Sequence, residues 1–160
     1  MFLEIYTLLH VLISLVGIAS GLVVVFGLLT GDRMDRWTRI FLVTTVATSV
    51  TGYGFPFTQL LPSHIVGAIS LVVLAVAIYA RSSKQMAGPW RWIYVINAVL
   101  ALYLNVFVLN VQLFLKVPAL RALAPTQSEP PFAITQLITL LVFVGLGIAS
   151  GLRFRIPSRA

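Results

Sequence analysis

Two imidazoles and a set of side-chain amides carry most of the chemistry open to this chain. His10 and His64 are its only histidines, and with no cysteine it has no thiolate ligand, disulfide or cysteine nucleophile. A neutral imidazole can ligate haem iron, copper or zinc, or exchange a proton with a quinone. Histidines on opposite faces of a porphyrin, as in a haem b site, are the simplest cofactor arrangement, whereas a metal held by two residues alone would need further ligands. The plainer reading is that His10 hydrogen-bonds across helices and His64 sits at a membrane interface.

The amides lie in the apolar run 91–117. Asn105 and Gln112 are seven positions apart and share one helix face, while Asn110 is turned roughly 140° away from Asn105. An unpaired amide in hydrocarbon is costly, so at least one of these lines must face a bundle interior or a wet pocket. Tyr53, Gln59 and Gln136 fall at the same end of the expected bundle. The candidate cofactor-binding set is therefore His10, His64, Tyr53, Asn105, Asn110, Gln112 and Gln136, with the identity of any metal left open.

The acids point to no acid-base machinery. Glu4 and Glu129 are expected to solvate interfaces, to pair with Lys116 or Arg121, or with Gln127 to cap the opening, and Asp32 and Asp35 to balance nearby arginines. No serine-histidine-acid arrangement, phosphate loop, dinucleotide fingerprint or metalloprotease spacing is present. No catalytic residue is assigned, and whether the chain is an enzyme stays open.

These side chains have to be held by membrane helices. Of 160 residues, 59% are hydrophobic and only 9% charged, too few charges to clothe a soluble domain. The expected fold class is all-α: residues 1–160 as one integral membrane domain, a polytopic bundle of five transmembrane helices over 5–29, 38–60, 63–80, 91–117 and 131–153. The third is short, since its apolar run, residues 65–80, reaches only about 24 Å across a layer of about 30 Å. The glycines and proline of Thr51-Gly52-Tyr53-Gly54-Phe55-Pro56 predict an unwound end or kink, so the alternative is three full spans plus a re-entrant hairpin across 38–80. The first segment lacks a positive leader and a small-residue cleavage site, and reads as a retained helix.

Charge sets the expected orientation. Five spans put Arg33, Arg36, Arg39, Arg81, Lys84, Arg91, Arg153, Arg155 and Arg159 on one side, leaving only Lys116 and Arg121 on the other. The positive-inside rule then predicts a multi-pass protein of a bacterial cytoplasmic membrane, N-terminus periplasmic or outside and C-terminus cytoplasmic. Trp37, Trp90 and Trp92 fall at the inner interface, where indoles anchor helices. The net charge of +7 is thus explained by topology and contact with inner-leaflet lipids, and the basic residues form no nucleic-acid tract.

Small residues suggest which faces meet. His10, Ser14, Gly17 and Gly21 share a face, as do Gly147 and Gly151. The stripe His64, Gly67, Ala68, Leu71 and Ala75 is expected to dock against the first of these faces and bring the imidazoles together. The prolines of residues 118–131 predict an ordered outer loop, with Pro131 opening the last helix.

Across Tyr103-Leu104-Asn105-Val106-Phe107-Val108, Lys116-Val117-Pro118-Ala119-Leu120 and Leu123-Ala124-Pro125 through Phe132, the chain resembles small bacterial multi-pass integral membrane proteins with no assigned activity. The resemblance covers mainly residues 103–132. It implies a membrane fold and a specific capping or contact role for residues 126–131, and no site residue. Three functions fit the residues: a membrane binding or accessory protein with an outer-side polar pocket, in a homo-oligomer or larger membrane complex; a haem- or quinone-binding redox protein using His10 and His64; and a small-molecule or proton-coupled transporter.

Overall fold

The chain first reverses at Gly31, whose φ of 80° is a left-handed conformation that a residue with a Cβ adopts only with strain. The turn is closed by the Asp32 amide donating to the Gly27 carbonyl at 2.8 Å, and the Asp32 carboxylate accepts from the Met34 amide at 3.0 Å. It separates α1 (Phe2–Thr30) from α2 (Asp35–Gly52), which run antiparallel. After α3 (Pro62–Ser82) come α4 (Trp90–Lys116), a short α5 (Pro118–Leu123) and α6 (Pro130–Arg153). The computed structural model describes residues 1–56 and 62–155, so Gln59 and Arg159 lie outside the described residues.

The protein is thus an all-α bundle in which four of these helices, α1, α3, α4 and α6, are long and apolar enough to cross a membrane. Helix α2 is less apolar, because Asp35, Arg36 and Arg39 occupy its first turns and hydroxyl residues follow, yet most of those hydroxyls make little polar demand on their surroundings. Thr44 donates to the Ile40 carbonyl, Ser49 to Thr45 and Thr51 to Ala47, at 2.7, 3.0 and 2.7 Å, so these hydroxyls are satisfied within the helix. Its buried residues Thr38, Phe41, Leu42, Thr45 and Ser49 form one helical stripe. The helix ends at Gly52 and turns follow at Tyr53 and Gly54; residues 57–60 of the expected continuation lie outside the described residues.

Helix α4 is the hub, packing on α1, α3 and α6. The tightest packing lies where α1 and α3 finish and α2 and α4 begin: Leu28, Phe41, Leu74, Ala77, Val95 and Ala98 are all almost wholly buried there. Gly21 permits this approach, because a Cβ on it would lie 2.6 Å from Leu102 Cδ1 and 2.9 Å from the Phe41 ring. The small face of α1 therefore goes to α2 and α4. The stripe on α3 does not dock on it as expected, and Gly67 instead accommodates the Tyr53 ring, 3.4 Å from where its Cβ would stand.

Polar contacts close the same end. Arg81 at the end of α3 pairs with Asp35 at the start of α2, and Asp35 also lies 3.5 Å from Arg33. Arg91 donates to the Gly151 carbonyl at 2.9 Å and to the Phe154 carbonyl, capping the C-terminus of α6 with a cation where the helix dipole is negative. Lys84 stands 5.5 Å over the rings of both Tyr79 and Trp90. The described basic residues around the α1–α2 and α3–α4 turns and in the tail thus gather at one end of the bundle, and Lys116 and Arg121 at the other.

Outward faces are apolar to an extent that water would not tolerate. Helix α6 buries only Phe143, Ser150 and Gly151, and Ile134, Leu137, Ile138, Leu141, Ile148 and Leu152 face out from it. Such a continuous apolar surface is the mark of a lipid-facing bundle.

Candidate ligand cleft

At the end opposite the basic cluster the helices part. A cavity of about 580 Å³ opens between the first half of α1, the end of α2, the start of α3 and the second half of α4. Its walls are largely aliphatic, with Val11, Leu15 and Ile18 on α1 facing Leu104, Val108 and Leu109 on α4. The polar groups that line it are Thr7, His10 and Ser14 on α1, Thr48 and Ser49 on α2, Ser63, His64 and Ser70 on α3, and Asn105, Gln112 and Lys116 on α4.

Several of these side chains have a definable support, whereas the buried Thr48 hydroxyl has no hydrogen-bond partner among the described residues. His10 Nδ1 lies 2.8 Å from Thr51 Oγ1, tying α1 to the last turn of α2, and Phe55 packs edge-on to the imidazole at a centroid distance of 5.1 Å. The Tyr6 hydroxyl reinforces that joint by donating to the Thr51 carbonyl at 2.7 Å. Asn105 forms the floor, donating to Thr45 Oγ1 at 3.3 Å beside the gap left by Gly17. Gln112 and Lys116 follow about two and three helical turns further along the same face, both exposed at the mouth.

His64 is buried, only 6% exposed, and borders the cleft from the first turn of α3. Tyr53 does not line the cleft among the described residues. Its hydroxyl donates to the His64 carbonyl at 2.6 Å and its ring lies 5.5 Å from the imidazole, so it fixes the start of α3 against the end of α2.

Asn110 and Gln136 belong to a different place. Asn110 donates to Thr139 Oγ1 at 2.9 Å and to Gln136 Oε1 at 3.4 Å, and Gln136 donates to the Phe107 carbonyl at 3.2 Å. The expected outer cluster thus divides: His10, His64, Asn105 and Gln112 border the cleft, whereas Asn110 and Gln136 bond α4 to α6. The 140° offset of Asn110 from Asn105 is the physical reason, since one helix cannot aim both amides into the same space.

The acids also stand apart. Glu4 pairs with the amino terminus at 3.0 Å rather than with Lys116 or Arg121. Glu129 accepts from Thr126 Oγ1 at 2.8 Å and from the amides of Thr126 and Ser128, and Gln127 donates to the Val111 carbonyl at 2.9 Å, so residues 126–129 fold as a cap on α4 beside the cleft rather than over it. Desolvation pushes the Glu129 carboxyl upward, but these hydrogen bonds outweigh it and hold the group below its ordinary value.

Thr51, Thr45 and Thr139 are the supporting residues that sequence reasoning missed. A signal for the first two existed, because an antiparallel hairpin turning near Gly31 sets opposite each other residues equidistant from the turn: Gly27 by Met34, Gly21 by Phe41, Gly17 by Thr44, and His10 by Thr51. Among the described residues no group of three or more histidine, aspartate or glutamate side chains converges to hold a metal ion. Comparison with protein-family models, curated proteins and solved structures returns no match.

Proposed function

We propose that this chain is an integral membrane binding protein whose cleft takes a small membrane-soluble ligand. The observation that carries the reading is the cleft's make-up: about 580 Å³ with largely aliphatic walls and polar groups that include His10, His64, Asn105 and Gln112 beside several hydroxyls. That volume falls in the range of small-molecule sites, which are mostly apolar with a few polar groups that fix orientation. Helix α2 is the fifth span in this reading. Its internally bonded hydroxyls and its course beside α1, from Met34 near Gly27 to Thr51 near His10, support that assignment. Five spans leave the cleft on the outer side of a cytoplasmic membrane and the arginine-rich end inside.

Native mass spectrometry of gently purified protein tests the binding function. A stoichiometric lipid or other small molecule is expected on the wild type and lost on Ser14→Phe, which fills the cleft; an empty wild type, or retention unaffected by Ser14→Phe, overturns the reading. The cysteine-free chain also suits topology mapping. Ser63→Cys should react with an impermeant thiol reagent applied from outside and Ser83→Cys should not; the reverse pattern inverts the orientation.

A haem or quinone redox protein is the second reading, favoured by the presence of both histidines at one cleft. It requires a haem spectrum or a bound quinone that disappears in both His10→Ala and His64→Ala.

A further inference from the structure

The hydrogen-bond arrangement around His10 determines what a ligand must bring to it. The Thr51 hydroxyl has one proton and two close neighbours, the Ala47 carbonyl at 2.7 Å and His10 Nδ1 at 2.8 Å. A carbonyl only accepts, so the proton of Thr51 goes to Ala47. If Nδ1 were unprotonated, one of these two short contacts would join two lone pairs with no hydrogen between them. With the proton on Nδ1, both contacts are hydrogen bonds: Nδ1–H donates to Thr51 Oγ1, which donates to Ala47. The neutral imidazole is thereby held with its lone pair on Nε2. Nε2 has no hydrogen-bond partner among the described residues, and His10 borders the cleft.

The other groups around this position sharpen the requirement. Phe55 lies edge-on to the imidazole and Tyr6 packs against Phe55 at 5.0 Å, an aromatic corner suited to a further ring. Val11 and Leu15, one and five residues further along α1, offer an apolar track for an alkyl tail. No acidic side chain lines the cleft among the described residues, so it has no carboxylate to receive a cationic ligand.

We propose that the cleft selects a lipophilic phenol or hydroquinone, whose hydroxyl donates to His10 Nε2 and whose ring packs in the corner formed by Phe55. This deepens the binding function proposed above and rests on it. An oxidised quinone or an aryl ether has the same ring and tail but no proton to give, so the site discriminates by hydrogen-bond donation rather than by shape. Thr51 is a positioning residue, acting through the tautomer of His10.

Equilibrium binding to the protein in phosphatidylcholine nanodiscs at pH 8, where an ordinary imidazole is neutral, tests the proposal with three probes: an alkyl hydroquinone, its dimethyl ether and the matching quinone. The hydroquinone is expected to bind at least tenfold more tightly than the ether or the quinone. His10→Ala should reduce hydroquinone binding to the level of the ether and leave the ether unchanged. Thr51→Val should weaken the hydroquinone alone, and Thr51→Ser, which keeps the hydroxyl, should restore it. Equal binding of all three probes to the wild type, lost on Ser14→Phe, overturns the hydroxyl requirement while leaving the cleft as a binding site. Equal loss of hydroquinone and ether in His10→Ala also overturns it. If the wild type binds no probe and retains no small molecule, both the inference and the binding function fall. The wild-type comparison needs no variant to fold.

Discussion

Where Arg81 meets Asp35, side chains fill the space between the helices; where His10 meets Thr51, the same helices leave about 580 Å³ open. Residue size and backbone approach separate the two regions. At the packed end, α1 offers Gly21, Val24 and Leu28 to a neighbour that comes close enough to bury them. At the open end, α1 carries Leu8, Leu12 and Val16 outward, and its inner face touches α2 chiefly through Tyr6 and His10. Cohesion there is polar and directional, so a cavity persists that aliphatic packing would have closed. A membrane bundle can keep such an opening because lipid does not drive helices together as water drives a soluble core.

The largest expected effect that would break this contrast is a truncation on each side. Leu74→Ala, at a site 1% exposed, should cost about 2 to 5 kcal/mol in thermal or denaturant unfolding in detergent. Leu109→Ala in the cleft wall should cost less than about 1 kcal/mol, since it enlarges a space already open. Equal losses would mean that the open end is as tightly built as the other.

Glycines give the next test. Gly21→Ala sets a methyl 2.6 Å from Leu102 Cδ1 and should destabilise by about 1 to 3 kcal/mol. Gly145→Ala meets nothing within 4 Å on α6 and should be neutral or stabilising by up to about 1 kcal/mol, through helix propensity alone. A destabilised Gly145→Ala would reveal a neighbour on α6, such as a second copy of the chain.

Two cations sharpen the comparison further. Arg91→Ala removes the cap on the carbonyls of Gly151 and Phe154 and should cost about 1 to 3 kcal/mol, with faster amide exchange in the last turn of α6. Lys116→Ala at the cleft mouth is exposed and should stay within about 0.5 kcal/mol.

The smallest effect is at Glu129. Its folded pKa is lowered, so its contribution to the cap at residues 126–129 is present above the ordinary carboxylate value and is lost as pH falls through the lowered one. Amide exchange at Thr126 and Ser128 should accelerate with acid over that window after correction for the intrinsic rate, and Glu129→Gln should abolish the dependence. Protection that is indifferent to pH would assign the cap to its backbone turns.

Much of the architecture was legible because it depends on properties local to each segment. The long apolar runs marked the four helices able to cross a membrane, and the glycine and proline run after Thr51 marked an interruption, where α2 ends at Gly52. Resolving the site into its parts was harder. Asn105 and Asn110 were visibly on different faces, yet nothing in the run 91–117 says that one face meets Thr45 and the other Thr139. The α3 stripe shows the same difficulty. His64, Gly67 and Ala68 look like a surface for any close neighbour, and the neighbour at Gly67 proved to be Tyr53 rather than α1.

By itself, the order of residues determined an all-helical apolar chain, the interruption after Thr51, the gathering of arginines in alternate loops and the helix face on which each polar group lies. Those follow from composition and from a period of 3.6 residues, which any single helix obeys without reference to another. Only the tertiary structure decided that α1 closes on α2 and α4, that His10 Nδ1 meets the Thr51 hydroxyl, and that Asn110 turns to α6 while Asn105 floors the cleft. Partner choice depends on how all the helices pack at once, and a small residue or an amide states that it needs a neighbour without stating which one.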